Sequence, residues 1–154
     1  MLTLKKKKCA GSGDFIAAMI VLVTLFTMFA MFLNIQKDYK VKGQMDNIIR
    51  DYALMAETQG GLTAQNKADL AFALSNITPY VYKEANTSTK GLDASVVSVK
   101  NAGELTYGEG DTLRVTFYYD NFIGQFMRTS KWYGAGKTVG RVKVDIAKAY
   151  TSKY

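Results

Sequence analysis

Residues 15–33 read FIAAMIVLVTLFTMFAMFL, 19 consecutive residues without a charge. Their only polar side chains are Thr24 and Thr27. As a helix the run is ~28 Å long, which matches the hydrocarbon thickness of a bilayer. A helix that is apolar on every side cannot lie on a surface facing water. The chain has 154 residues, too few to wrap such a helix in soluble core and still build a domain. The run therefore predicts one membrane-spanning helix, and the rest of the chain hangs from it.

A short basic head precedes the run, MLTLKKKKCAGSGD. Lys5, Lys6, Lys7 and Lys8 lie just before the span. Flanks rich in Lys and Arg stay in the cytoplasm, so the N-terminus is expected inside. Lys37, Lys40 and Lys42 follow the span closely, so the bias is slight. The four head lysines supply more than half of the net charge of +7. What remains is mildly basic, without a concentrated stripe, and no nucleic-acid partner is expected. A removable secretory signal is the competing reading. Its apolar region is usually about 7–15 residues, with a small-residue cleavage site behind it. This run is longer, and Leu33-Asn34-Ile35-Gln36 offers no such site. A lipid-modified cysteine would follow the apolar run, whereas Cys9 precedes it.

Asp14 stands at the lip of the hydrocarbon. A carboxylate there is costly unless it stays in the interface or finds a partner. One reading is a helix-start carboxylate favoured by the helix dipole. The other is a partner for a cation on a second subunit.

A basic leader, small residues, then an acid and Phe opening an apolar helix resemble the type IV pilin-like class. The nearest likeness is to the TadE-like minor pilins, or pseudopilins, and a related bacterial family of unknown function. It is carried by Lys5 to Lys8, Ala10-Gly11-Ser12-Gly13, Asp14-Phe15 and the run to Leu33. The resemblance implies that a prepilin peptidase cuts between Cys9 and Ala10, or after Gly11. The first cut has the usual spacing to the acid, and the second has the usual glycine. Asp14, standing where Glu is usual, would neutralise the amine of a neighbouring subunit. Phe15, Ile16, Val21, Leu22, Phe26, Phe29 and Phe32 would pack first in lipid and then in a filament. The implied partners are membrane lipid, other pilin-like subunits and proteins of a Tad-type or conjugation-linked pilus or secretion apparatus.

Beyond the span, residues 34–59 contain no proline and one internal glycine, Gly43, which costs a helix about 1 kcal/mol relative to alanine. Met45, Ile48, Ile49, Tyr52, Met55 and Ala56 follow the i, i+3, i+4, i+7 spacing of an amphipathic helix. This stalk packs either on its own domain or on other subunits. Gly60 is placed to end it as a left-handed cap. Thr63 is a fitting N-cap for a second helix over 63–77. Leu70, Leu74 and Ile77, with Ala73 beside them, make its apolar face. Pro79 stops it and forces Thr78 out of helical geometry.

The C-terminal part is strand-rich. Residues 94–100 and 112–119 alternate, and so do 139–148. Leu113, Val115, Phe117 and Tyr119 share one face; Val142, Val144 and Ile146 share another. Turns are expected at 101–103 and 108–111. Three or four antiparallel strands would present one apolar face to the two helices. A long loop over 121–138 carries Phe122, Ile123, Phe126, Met127, Trp132 and Tyr133. It either tucks onto the core or meets a partner or the membrane surface.

The fold class expected is α+β, in four parts: 1–14 a basic head, 15–33 the transmembrane helix, 34–59 the stalk and 60–154 an extracytoplasmic domain. No catalytic chemistry, metal or cofactor is expected. Histidine is absent and Cys9 is the only cysteine, so sortase chemistry and zinc clusters lack their residues, and no internal disulfide can form. No Ser-Met-x-Pro-like segment follows the span for a Ser–Lys signal peptidase. Gly134-Ala135-Gly136-Lys137-Thr138 ends like a phosphate loop, but Lys131 stands where the first glycine belongs. The sequons at Asn76 and Asn86 are short enough to arise by chance. Two functions follow: a pilin-like structural subunit, or an unprocessed single-pass binding or accessory protein of the cell envelope.

Overall fold

The first helix, α1, runs unbroken over Ala10–Gln59. The structure is a computed structural model that describes residues 10–101, 104–121 and 141–153. Packing divides the chain into two units, Met1–Lys37 and Asp38–Tyr154. In the first unit every residue from 13 to 33 is exposed, and the helix there is long and apolar enough to cross a membrane. Three of its polar side chains are satisfied within the helix. The Thr24 and Thr27 hydroxyls donate to the carbonyls of Ile20 and Val23 at 2.8 Å, and the Asn34 amide donates to that of Ala30.

In the second unit the same helix becomes one-sided. Met45, Ile49, Ala53 and Ala56 are buried, four residues on a helical stripe. Ile48 and Tyr52 flank it, half-buried. Met55, expected on this face, is exposed instead, because the stripe follows spacings of four and three through Ala53. Gly60 ends α1 with φ 70°, and Gly61 N–H donates to the Ala56 carbonyl at 2.9 Å. That six-to-one bond closes a Schellman cap.

Helix α2 covers Ala64–Ile77. The Thr63 side chain accepts from Asn66 N–H at 3.1 Å, an N-cap as expected. Leu70, Ala71 and Leu74 face inward. Ala71, rather than Ala73, completes that face, since it lies beside Leu70 and one turn before Leu74. Thr78 is extended before Pro79.

Four antiparallel strands form one sheet. They are β1 (Val81–Tyr82), β2 (Val97–Val99), β3 (Gly110–Asp120) and β4 (Arg141–Thr151). The fold is α+β. β3 is central: β4 pairs along its whole length from Gly110↔Thr151 to Asp120↔Arg141. β1 and β2 share its other edge, at Val81↔Tyr119 and Val97↔Val115. Strand β1 had no sequence signal of its own; two residues are too few for a period. The expected strand over 94–100 is instead a 3-10 turn, Ala94–Val96, followed by three strand residues. Asp93 caps that turn by accepting from Ser95 N–H, so a side-chain acceptor wins over β-branched propensity. The turn before β3 is centred on Gly108, at φ 85°, and the strand already starts at Gly110. Ala102 and Gly103 of the first expected turn, and all but Asn121 of the 121–138 loop, lie outside the described residues.

The core joins both helices to the sheet. Met45, Ile49, Leu70, Leu74, Val81, Leu113, Val115 and Phe117 have almost no solvent exposure. Each such side chain contributes roughly 1.5–3 kcal/mol by leaving water. The opposite face carries Arg114, paired with Asp145, and Thr116 and Tyr118.

Phe117→Ala is expected to cost about 3–5 kcal/mol, because it empties the centre of the core. Phe72→Ala should stay within about 0.5 kcal/mol, since Phe72 is 68% exposed. Denaturant unfolding of the full chain in detergent micelles, followed by near-UV circular dichroism, separates the two. By the same assay Gly43→Ala should stabilise by up to ~1 kcal/mol, as a methyl group there meets nothing within 4 Å.

Candidate functional site

The residues singled out at the N-terminus fall into three groups. Lys5, Lys6, Lys7, Lys8 and Cys9 lie outside the described residues. Ala10 and Gly11 are described as helical backbone. Asp14 is the fifth residue of the described helix and is exposed. A helix dipole acts mainly within the first turn, so it favours Asp14 only weakly at that position. Phe15, Ile16, Val21, Leu22, Phe26, Phe29 and Phe32 are all more than half exposed. Apolar residues occupy every side of the helix over residues 15–33, so the apolar surface has no single seam.

The second unit holds one polar cluster that sequence reasoning missed. Arg141 begins β4, yet its side chain is only 6% exposed. Its guanidinium reaches across β3 and lies 3.6 Å from the centre of the Tyr82 ring. Nη1 donates to the carbonyls of Ala85 and Thr87 at 2.6 and 2.7 Å, and more loosely to Glu84. Nε stands 3.5 Å from the buried Asp120 carboxylate. A planar, permanently charged group with a fork of donors suits this role, and a lysine does not. The result is a strap that fixes the loop after β1. Nothing in the alternation of β4 marks Arg141 as buried; only its distance in sequence from the loop it holds would have to be known.

A second cluster ties the C-terminal end. The Asp111 carboxylate accepts from the backbone N–H of Lys100, Asn101 and Thr112 and from the Tyr150 hydroxyl at 3.1 Å. The Ser152 hydroxyl donates to the Leu105 carbonyl. Lys153 N–H donates to the Glu57 carbonyl at 2.8 Å, and Leu105 N–H to that of Gly60. Burial, then the nearby Asp111 charge, pushes the Tyr150 hydroxyl up to about 12. Tyr119 is likewise pushed up to about 12, by burial first and Asp38 second. Both clusters hold structure. Among the described residues no group of three His, Cys, Asp or Glu side chains is placed to hold a metal ion.

Comparison with known protein families, curated proteins and solved structures gave no match. The glycine-rich segment at 134–138 lies outside the described residues. The chain's most distinctive feature is thus the long helix, with its change from an all-round to a one-sided apolar surface.

Two outcomes test these clusters. Arg141→Lys keeps the charge but loses the forked contacts and the ring stacking. Amide exchange over residues 83–91 should then accelerate by at least tenfold, the equivalent of ~1.4 kcal/mol, while the α1 and α2 amides of the core keep their protection. For Tyr150 the folded value lies above the ordinary 10.0. Its contribution is therefore complete below pH 10 and is lost as pH rises through about 12. Tyr150→Phe should flatten the loss of stability in that window, read by denaturant midpoint against pH.

Proposed function

We propose that the chain is a membrane-anchored, pilin-like structural subunit. It assembles through its N-terminal helix with other pilin-like subunits, or with proteins of a Tad-type or conjugation-linked secretion apparatus. The observation that carries this reading is the helix Ala10–Gln59 itself. Its second part completes a closed core with α2 and the sheet. Its first part is apolar on every side and exposed. The head residues, Ala10-Gly11-Ser12-Gly13 and Asp14-Phe15, add the resemblance to the pilin-like class.

The mechanism follows from the solvent. In lipid, the apolar side chains of residues 15–33 face acyl chains of equal apolarity. Exchanging lipid for the matching helices of neighbours therefore costs little hydrophobic free energy. Packing and polar contacts decide the exchange. Asp14 is the one charge at the edge of the run, and a carboxylate entering that environment demands a cation. An amine freed by leader cleavage on a neighbouring subunit would supply it. The orientation is N-terminus inside, held by Lys5 to Lys8, with the second unit outside.

The intact mass of the protein from the membranes of its own cells tests processing. A chain short by the residues up to Cys9 or Gly11 is the expected result. Asp14→Ala should still insert in the membrane but should be lost from crosslinked assemblies. An uncut chain whose assemblies survive Asp14→Ala would leave a fixed single-pass envelope protein as the better account.

A further inference from the structure

β4 is an edge strand. It runs over Arg141–Thr151 and pairs with β3 in one unbroken register. Its other side pairs with no strand among the described residues. A bare edge carries a row of backbone N–H and C=O groups ready to take a further strand. Proteins blunt such edges with proline, bulges, short strands or charges. β4 has no proline, keeps its full length without a bulge, and carries one exposed cation, Lys143.

The core is open along the same edge. Val142 and Ile146 pack against it on either side of the buried Val144, yet both are only half-buried. On the other face of β4, Lys143, Asp145, Ala147 and Ala149 are exposed. The Asp145 carboxylate accepts from Nε and Nη2 of Arg114 and from the Thr116 hydroxyl. A carboxylate offers about four lone-pair sites, so Asp145 has capacity for one further donor.

We propose that the free edge of β4 pairs, antiparallel, with the same edge of a second copy, about a two-fold axis at Val144. Charge complementarity selects that occupant and that register. Opposed residues on neighbouring strands share a face, so a two-fold pairing is centred on a residue and not between two. Centred on Val144, Lys143 of each copy faces Asp145 of the other. Centred one residue earlier, Lys143 faces itself; one residue later, Asp145 faces itself. Like charges directly opposite are destabilising, and opposite ones stabilise. Centred on Ile146, Val144 faces Lys148, which is already bound to Asp46 of its own chain at 2.7 Å. The Val144 register leaves Lys148 outside and sets Val142 against Ile146, so the apolar core continues across the seam. Arg141 faces the small Ala147, and its own side chain is folded back against Tyr82. The two four-stranded sheets become one. This surface belongs to the second unit alone. The inference therefore goes beyond the function proposed above and does not rest on it.

The test uses the full chain in detergent micelles, with Cys9→Ser removing the native thiol. Single cysteines are placed by Val144→Cys, Ile146→Cys or Ala147→Cys and oxidised mildly. Directly opposed residues stand about 4.5–5.5 Å apart between Cα atoms, within reach of a disulfide. A two-fold seam brings only its central residue beside its own copy. Val144→Cys should therefore form a linked dimer at least about tenfold faster than the other two. Slow linking at all three positions overturns the seam. Fast linking at Ile146→Cys or Ala147→Cys instead overturns the register and its charge pairing. Sedimentation equilibrium gives a measurement without the new cysteine. Lys143→Glu, an exposed change, should weaken the dimer about tenfold while circular dichroism stays the same; unchanged association overturns the charge pairing. Asp14→Ala should leave the Val144→Cys link intact, whatever it does to assembly through the N-terminal helix. Loss of the link in that variant assigns the contact to the helix and overturns an independent seam.

Discussion

One helix carries two kinds of surface, and the rest of the structure follows from that constraint. An α-helix closes its own backbone hydrogen bonds wherever it runs. Only its side chains must match the surroundings. Over residues 15–33 they are apolar on all sides. From Met45 to Ala56 they are apolar on one side only, and that side supplies part of a core. The backbone does not change at the transition; the sequence period does.

The one-sided stretch is too narrow to be stable in water alone. It is held because α2 and the sheet offer a matching face. β3 makes this possible. It is long enough to take β4 along one edge and both short strands along the other. Its inward residues, Leu113, Val115 and Phe117, are fully buried. No disulfide is available to the unit, since Cys9 is the only cysteine. Side-chain links therefore fix the connections: Arg141 the loop after β1, Asp111 the segment between β2 and β3, and Lys148 to Asp46 at 2.7 Å the sheet to α1. The Arg114–Asp145 pair is exposed and holds the Asp145 carboxyl down to about 2, so it persists through ordinary acid conditions. As a surface pair it contributes little to stability.

What was legible in the sequence was whatever had a period or a local cap. The apolar run, the α1 stripe, the Gly60 and Thr63 caps and the alternation of β3 and β4 all depend on near neighbours, and all appear in the structure. The errors sit where a long-range partner decided. Residues 94–96 have strand propensity, yet Asp93 captures the Ser95 amide and turns the chain. β1 exists only because β3 extends far enough to pair with it. Ala56 and Ala73 are named from the sequence but Ala53 and Ala71 are not, because the weak hydrophobic signal of alanine does not tell one helix face from the next. Arg141 alternates with Val142 and Val144 and so reads as an outward charge, but the carbonyls that hold it inward lie more than fifty residues away in sequence. Of the N-terminal residues, the pattern and the resemblance were legible; Asp14 and the seven apolar side chains are exposed in the structure.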